Sequence, residues 1–482
     1  MSAGAAQHPF ASALSPGQVA VAGVVAVAAF HLAYAFTACS VLMGLYLFCV
    51  LQLARARTTR GAFYPGLAVG LGVYVPQADF LWNIFNVGAF SLWMVLAFWV
   101  ALFVALARMC WARYGPAATA LAAPFLWTGL EYFRSELYPL RFAWITPGYA
   151  FSPTPAVGAV AGVYGTGFLL MTLVAVIWLV PRRLVALGVS LLLAGVGAFV
   201  HLHPYAGDAA PPAGATIRVA GVQMEPALEE LQVARLDEVL RKHPAAELVL
   251  MSEYCFQTPP PEPIRAWCRR NKRFLVAGGK EPIDGKRFYN TAFVVGPSGD
   301  VVFRQPKCRP VQFFRDGMPA PDQNVWDSRW GKIGLCICYD LGYRRVMDRL
   351  TQLGAQAILV PTLDELDWGR REHEHHARVA RVRAAELGVP IFRVGIAGIP
   401  QLVDATGRTV ATAAFPGQDV ILGGELQLGR PARLPLDHWL APLSVGATGA
   451  LWAWLGLLAW RGHRAPNAQH GLAVPLRNES PA

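Results

Sequence analysis

Seven apolar windows of membrane-spanning length fill the first 203 residues, near 17–34, 36–54, 62–78, 85–107, 116–133, 155–180 and 184–203, and an eighth lies near 439–460. About 20 apolar residues cross roughly 30 Å of hydrocarbon. Inside lipid no water satisfies backbone N–H and C=O groups, so such windows are helices. The whole chain is 54% hydrophobic and only 15% charged, too apolar for a wholly soluble protein. These runs predict a polytopic α-helical membrane domain over residues 1–207 with about seven transmembrane helices, and a carboxyl-terminal transmembrane helix over 439–460. The polar, Pro-containing segment 462–482 reads as a disordered cytoplasmic tail.

The net charge of +11 is scattered along the chain and flanks the apolar runs. Anionic headgroups, rather than nucleic acid, are the partners this pattern implies. Arg55, Arg57 and Arg60 follow the second window, Arg108 and Arg113 the fourth, Arg182 and Arg183 the sixth, and Arg461 and Arg464 the eighth. If each helix crosses once, all four clusters fall on one side, which the positive-inside rule makes cytoplasmic. Everything between the seventh and eighth helices then lies outside, in a bacterium the periplasm. Residues 1–16 carry no Lys or Arg, and the following apolar run is too long for a cleavable signal, so uncleaved helices are expected to direct insertion. Glu131 and Arg134 sit near the outer end of the fifth window, where snorkelling, a mutual pair and substrate contact are all open.

From Ala215 the texture changes. Short β-rich runs (217–223, 247–251, 274–277, 291–295, 332–338, 357–360, 391–394) alternate with helical stretches at 229–242, 343–353 and 373–387. Such alternation predicts an α/β domain over 215–430, long enough to bury its own core.

Within it, Gly331-Lys-Ile-Gly-Leu-Cys-Ile-Cys-Tyr-Asp340 reads as a buried strand delivering a thiol to its carboxyl end. Cys336, two residues deeper, is read as core. Cys338 stands where the strand gives way to a turn, and two further polar groups end apolar strands: Glu253 after Leu248–Met251 and Lys307 after Val301–Pro306. The set suits acyl transfer. A thiol attacks a carbonyl as thiolate, so it needs a base, which Glu253 supplies, and a nearby cation, which Lys307 supplies. Lys307 and the Tyr339 N–H also suit a tetrahedral oxyanion. The eight cysteines form no C-x-x-C pair and imply neither a metal site nor a disulfide framework, and no cofactor is expected.

Glu253, Lys307 and Cys338 in this order, with Tyr289-Asn-Thr-Ala292 before the lysine and Cys-Tyr-Asp at the nucleophile, resemble the Glu-Lys-Cys triad of the nitrilase (carbon–nitrogen hydrolase) superfamily. With Trp127-Thr-Gly-Leu-Glu-Tyr-Phe-Arg134, Trp144 to Tyr149, His376, Arg383-Ala-Ala-Glu386, Pro390, Arg393 and Gly398, the chain is similar to the apolipoprotein N-acyltransferase branch over almost its whole length. The resemblance implies a nitrilase-like α-β-β-α sandwich carried by a membrane domain. It also implies transfer of an acyl chain from a phospholipid, through a Cys338 thioester, to the N-terminal amine of an S-diacylglyceryl-cysteine lipoprotein at the outer face of the inner membrane. Tyr339, Asp340 and Glu386 take supporting places, Glu386 as a structural hydrogen-bonding acid. Two other readings share these residues: a membrane-tethered amidase or nitrilase in which water resolves the acyl-enzyme, and a nitrilase-fold scaffold with a decayed site.

Where that family reads Val-Pro-Phe-Gly-Glu after the lysine, this chain has Val311-Gln-Phe-Phe-Arg315, so Arg315 takes the accessory glutamate's place. A guanidinium beside Lys307 would be repelled by about 4 kcal/mol at roughly 4 Å and an effective dielectric near 20. Arg315 is therefore expected to turn away, towards headgroup phosphates or another acid, leaving Asp316 or a different carboxylate beside Lys307. His373, His375 and His376, with Glu372 and Glu374 among them, read as one charged helix face rather than a metal site.

Overall fold

The structure, a computed structural model, describes residues 12–152, 156–179 and 214–464. The helix expected at 184–203 and the tail beyond 464 lie outside the described residues. The amino-terminal part consists of α1 (Pro16–Ala35), α2 (Leu42–Gln52), α3 (Thr59–Gln77), α4 (Phe80–Phe85), α5 (Gly88–Tyr132) and α6 (Ala156–Leu179). Ser15 starts the first of these with a capping box, its side chain accepting from the Gln18 N–H. Among the described residues, four stretches are long and apolar enough to cross a membrane: Pro16–Ala35, Gly88–Leu137, Gly158–Leu179 and Asp437–Leu458.

The windows differ from expectation at three places. The second contains a 3-10 turn at Thr37–Cys39 before the 11-residue α2. The third, α3, carries Pro65 and Pro76 and is not among those four stretches. Its small residues serve packing: a Cβ on Gly70 would lie 2.6 Å from the Ala97 Cα, so only glycine lets α3 and α5 approach this closely. The fourth and fifth windows run together as α5, broken at Gly115 (φ 79°), where two helical halves meet without an intervening loop.

The α/β part is two six-stranded sheets. One has the order β12 (Ile421–Gln427), β1 (Thr216–Val222), β2 (Leu248–Leu250), β3 (Phe274–Pro282), β4 (Phe288–Val295), β5 (Val301–Pro306). The other has β11 (Thr409–Thr412), β10 (Gln401–Val403), β9 (Ile391–Val394), β8 (Ala357–Pro361), β7 (Gly331–Leu335), β6 (Val325–Ser328). Each is parallel at its centre, through β1–β2–β3 and β7–β8–β9, and antiparallel at its edges. Alternation along the central strands builds the layers. Ile217, Val219, Leu248 and Leu250 join Leu335, Leu359 and Phe392 between the sheets, whereas Ala220, Val222 and Val249 face Leu236, Val239, Ile264 and Trp267 of the helices Glu229–Lys242 and Glu262–Asn271. Helices Arg344–Gln352 and Arg370–Leu387 accompany the second sheet. This is the expected α-β-β-α sandwich joined to a helical membrane part.

Candidate active site

The strand carrying the thiol is shorter than expected. β7 ends at Leu335, and Cys338 opens a 3-10 segment, Cys338–Gly342, with φ at +50°. A non-glycine residue in the left-handed region is strained by roughly 1 to 3 kcal/mol, and such strain persists only where the surroundings over-determine it. Those surroundings are present. Asp340 accepts from the N–H groups of Ile337 (3.2 Å), Cys308 (3.1 Å) and Arg309 (2.6 Å), which ties the turn to the chain just past Lys307. Burial pushes its carboxyl up to about 6, against the pull of Lys307 and these three N–H groups. His376 lies between Asp364 Oδ1 (2.8 Å) and the Cys338 carbonyl (3.4 Å), stacked on Trp144 at 4.8 Å. The Tyr339 hydroxyl donates to the Arg141 carbonyl at 3.2 Å. The Cys338 thiol donates weakly to the Leu363 carbonyl at 3.6 Å, and burial raises its pKa well above that of a free thiol.

Lys307 arrives on the residue after β5 and is 1% exposed. Its Nζ lies 2.9 Å from Glu253 Oε1 and 2.7 Å from Asp316 Oδ2. Asn290, on β4, donates its amide to both acids. Asp316 also accepts from the Val311 N–H and the Tyr254 hydroxyl, each at 2.8 Å. It is thus richly satisfied, and Lys307 and these donors hold its carboxyl below the usual range. Glu253 is poorer: its Oε2 has no hydrogen-bond partner. Burial and the like charge of Asp316 raise it to about 7, outweighing Lys307 and Asn290. One lysine between two acids leaves a buried negative excess, and the less solvated acid absorbs it. Arg315 is exposed and takes no part in this network, so the accessory carboxylate is one residue further along than the expected position.

A cavity of about 290 Å³ reaches this cluster. Glu253, Lys307 and Cys338 line it together, and the rest of its wall is mostly apolar, from Phe80, Ile84 and Phe85 to Leu92, Leu96 and Trp368. The amino-terminal helices therefore supply much of a pocket whose Glu253, Lys307 and Cys338 end belongs to the sandwich.

The carbon–nitrogen hydrolase family model matches residues 219–428, and the apolipoprotein N-acyltransferase N-terminal domain model matches residues 22–177. The apolipoprotein N-acyltransferase of Geobacter metallireducens is 27% identical over 427 residues, covering 76% of this chain and 80% of the relative. That of Azotobacter vinelandii is 27% identical over 482 residues, covering 85% and 89%. The chain is thus similar to the apolipoprotein N-acyltransferases over both its helical part and its sandwich. Among solved structures, a carbon–nitrogen hydrolase from Helicobacter pylori G27 matches 52% of this chain and 97% of its own at 18% identity and a TM-score of 0.39.

The residues outside the cavity matter as much as Glu253, Lys307 and Cys338. Glu386 does not line the cavity. It pairs with Arg383 and with Arg344 (2.8 Å) and accepts from the Val163 N–H of α6 at 3.0 Å. Arg383 in turn donates to the carbonyls of Leu341 (3.2 Å) and Gly342 (2.7 Å), so Glu386 supports the turn that carries Cys338 through one intermediary. Asp437 completes the cluster, 3.3 Å from Arg344 and accepting from the Tyr164 N–H at 3.0 Å.

The expected charged histidine face is corrected: Glu372, His373, His375 and His376 are all buried, and only Arg370, Arg371 and Glu374 of that stretch face solvent. The helix packs on the sheet and on the membrane part at once, His375 reaching the Gln77 carbonyl of α3 at 3.0 Å, so two of its faces are interior. Donor atoms of Cys338, Asp364 and His376, and of Asp364, Glu372 and His373, come within 4.8 Å of one another. Asp364 belongs to both groups, and its oxygens are engaged by His376 and the Arg393 guanidinium, which already supplies a cation. Glu131 and Arg134 neither snorkel nor touch the thiol. Both are buried, lining a separate cavity of about 20 Å³, with Arg134 over the Tyr74 ring. Sequence reasoning gave no role to Asn290, although it lies in the quoted Tyr289-Asn-Thr-Ala292 motif, and did not foresee Asp364 or the Trp144 stack beside the thiol.

Proposed function

We propose that Cys338 is the nucleophile, Glu253 the general base and Lys307 the oxyanion partner of a phospholipid-dependent N-acyltransfer. The observation that carries this reading is the free oxygen of Glu253: a buried carboxylate tuned to about 7, with one oxygen unpartnered, in a cavity it shares with a thiol and a lysine. In the first half-reaction the Cys338 sulfur bonds to the acyl carbonyl of a phospholipid ester as Glu253 takes the thiol proton. Lys307 Nζ and the Tyr339 N–H, in the first turn of the 3-10 segment, stabilise the oxyanion. The intermediate expels the lysophospholipid alkoxide, which recovers the proton from Glu253. In the second, the amine of an S-diacylglyceryl-cysteine attacks the thioester, Glu253 accepts a proton from nitrogen and passes it to the departing Cys338 sulfur, and the amide forms as the free thiol is restored.

Residues 1–207 and 439–460 are the membrane parts in this reading, and 215–430 is the catalytic domain on the periplasmic side of a bacterial inner membrane. Contacts between the basic clusters support that orientation. Arg108 donates to the Arg57 carbonyl at 2.6 Å, and Trp454, near Arg461, donates to the hydroxyl of Tyr114 at 2.7 Å, so three of the clusters share one end of the helices.

The test is transfer to a synthetic S-diacylglyceryl-cysteine peptide in phospholipid nanodiscs. Wild type should yield N-acyl peptide, Cys338→Ala none. Cys336→Ala, at a fully buried position, should keep most activity and lose about 1 kcal/mol of stability. Free fatty acid in place of the amide would show a hydrolase instead, and loss through Cys336 alone would move the nucleophile.

A further inference from the structure

Arg344, Arg383 and Arg393, buried around the site, each face a carboxylate. Arg141 and Arg315, which line the cavity itself, have no acid partner among the described residues. Arg315 is exposed and carries no hydrogen bond or ion pair. Arg141 is half-buried, its Nε reaches no acceptor, and its guanidinium lies only over the Tyr343 ring at 5.9 Å. The chain brings the two together, since Gln312, three residues before Arg315, donates to the carbonyl of Pro139, two residues before Arg141, at 3.4 Å. Their surroundings are apolar on the open side: Phe313 is 72% and Phe314 42% exposed, and both pack edge-on against Phe85. Exposed aromatics beside arginines are what a membrane interface selects, with the rings at headgroup level and the guanidinium among phosphates. Glu365 is the one exposed acid on the same cavity wall, and no hydrogen bond or ion pair joins its carboxylate to either arginine.

Resting on the proposed function, we propose that Arg141 and Arg315 form the phosphodiester subsite of the acyl donor, and that they act in the first half-reaction alone. The chemistry of the two substrates separates the halves. In a glycerophospholipid the phosphodiester is a few bonds from the ester carbonyl that must reach Cys338, close enough for a guanidinium at the cavity rim to hold it while the chain lies along the apolar wall. The S-diacylglyceryl-cysteine acceptor has no phosphate. Arginine suits the first task because its planar fork binds phosphate oxygens in pairs. The pair therefore selects a phosphate-bearing donor over a neutral diacylglycerol without touching the amine.

The experiment compares full-length wild type, Arg315→Gln, Arg141→Gln and the corresponding Lys variants in nanodiscs. Acyl-enzyme formation is followed by intact mass with phosphatidylglycerol or with the diacylglycerol of the same chains as donor. Aminolysis of pre-formed acyl-enzyme by the diacylglyceryl-cysteine peptide is followed separately. Each Gln variant should acylate about tenfold more slowly from phosphatidylglycerol, the size of one lost charge-assisted hydrogen bond, with partial recovery in the Lys variants. Acylation from diacylglycerol and aminolysis should both be unchanged. An equal fall with both donors, a matching fall in aminolysis, or no fall with phosphatidylglycerol would each overturn the subsite. Absence of any adduct on wild type would instead overturn the proposed function, and the subsite with it.

Discussion

Lys307 is held between two carboxylates, and that asymmetry sets the chemistry available to Cys338. Asp316 has four donors around it and stays ionised. Glu253 shares one oxygen between Lys307 and Asn290, keeps the other free, and is raised to about 7 by burial and by Asp316. A base must be deprotonated to accept the thiol proton, and the fraction of Glu253 in that form grows with pH. Acyl-enzyme formation is therefore predicted to rise through about pH 7. Asp316→Asn removes the like charge, so the acid limb should move to lower pH while the rate falls about tenfold or more, because Glu253 becomes a weaker base and Lys307 loses an anchor. A pH–rate profile of the acylation burst checks both; an unmoved limb would mean that another group titrates. That Glu253, Lys307 and Cys338 come together at one cavity was legible because each follows an apolar β-rich run, a pattern visible in one dimension. Asn290 was not, since an amide bridging two acids has meaning only once the acids face each other. Asp316 was half-legible: charge repulsion excluded Arg315 from Lys307, but the extra residue in the loop hid which acid replaced it.

At the scale of elements, the decisive joint is the break in α6 at Gly162. Its φ of 79° frees the N–H groups of Val163 and Tyr164 for Glu386 and Asp437, so a membrane helix is clamped to the helix Arg370–Leu387 and to the start of the helix Asp437–Arg464. A Cβ there would lie 2.2 Å from the Asp437 carboxylate. Gly162→Ala combines left-handed strain with overpacking and is predicted to cost about 2 to 5 kcal/mol, read as a lowered Tm in detergent. It should slow acylation as well, because Arg383, held by Glu386, holds the Leu341 and Gly342 carbonyls of the turn that carries Cys338. An unchanged Tm would show that the clamp is dispensable. Sequence periodicity found the helix 229–242 to the residue but misjudged the histidine helix. Amphipathic patterning assumes one wet face, and this helix has membrane-part neighbours where solvent was assumed. The strand expected at 332–338 was too long for a related reason: Cys336 and Ile337 are as apolar as strand residues, but Asp340 captures the Ile337 N–H and bends the chain.

Across the whole molecule, the apolar helices and the sandwich meet at a cavity, and the proposed direction in which it faces rests on the basic clusters. A reporter fused after Asp208 is predicted to behave as periplasmic and one after Arg464 as cytoplasmic; a cytoplasmic signal at Asp208 would place the cavity on the wrong side for lipid-anchored acceptors. The α/β class was readable from alternation of short strands and helices, whereas the α-β-β-α layering was implied by the family resemblance alone. The apolar cavity was not readable, because its wall is assembled from segments as distant as Phe80, Leu140 and Trp368. The covalent step is tested most directly by intact-protein mass spectrometry of the full-length chain after incubation with phospholipid, followed by peptide mapping. A single acyl adduct on Cys338, absent from Cys338→Ala and released by the diacylglyceryl-cysteine peptide, is the predicted result. An adduct elsewhere, or none on a folded wild-type protein, would contradict it.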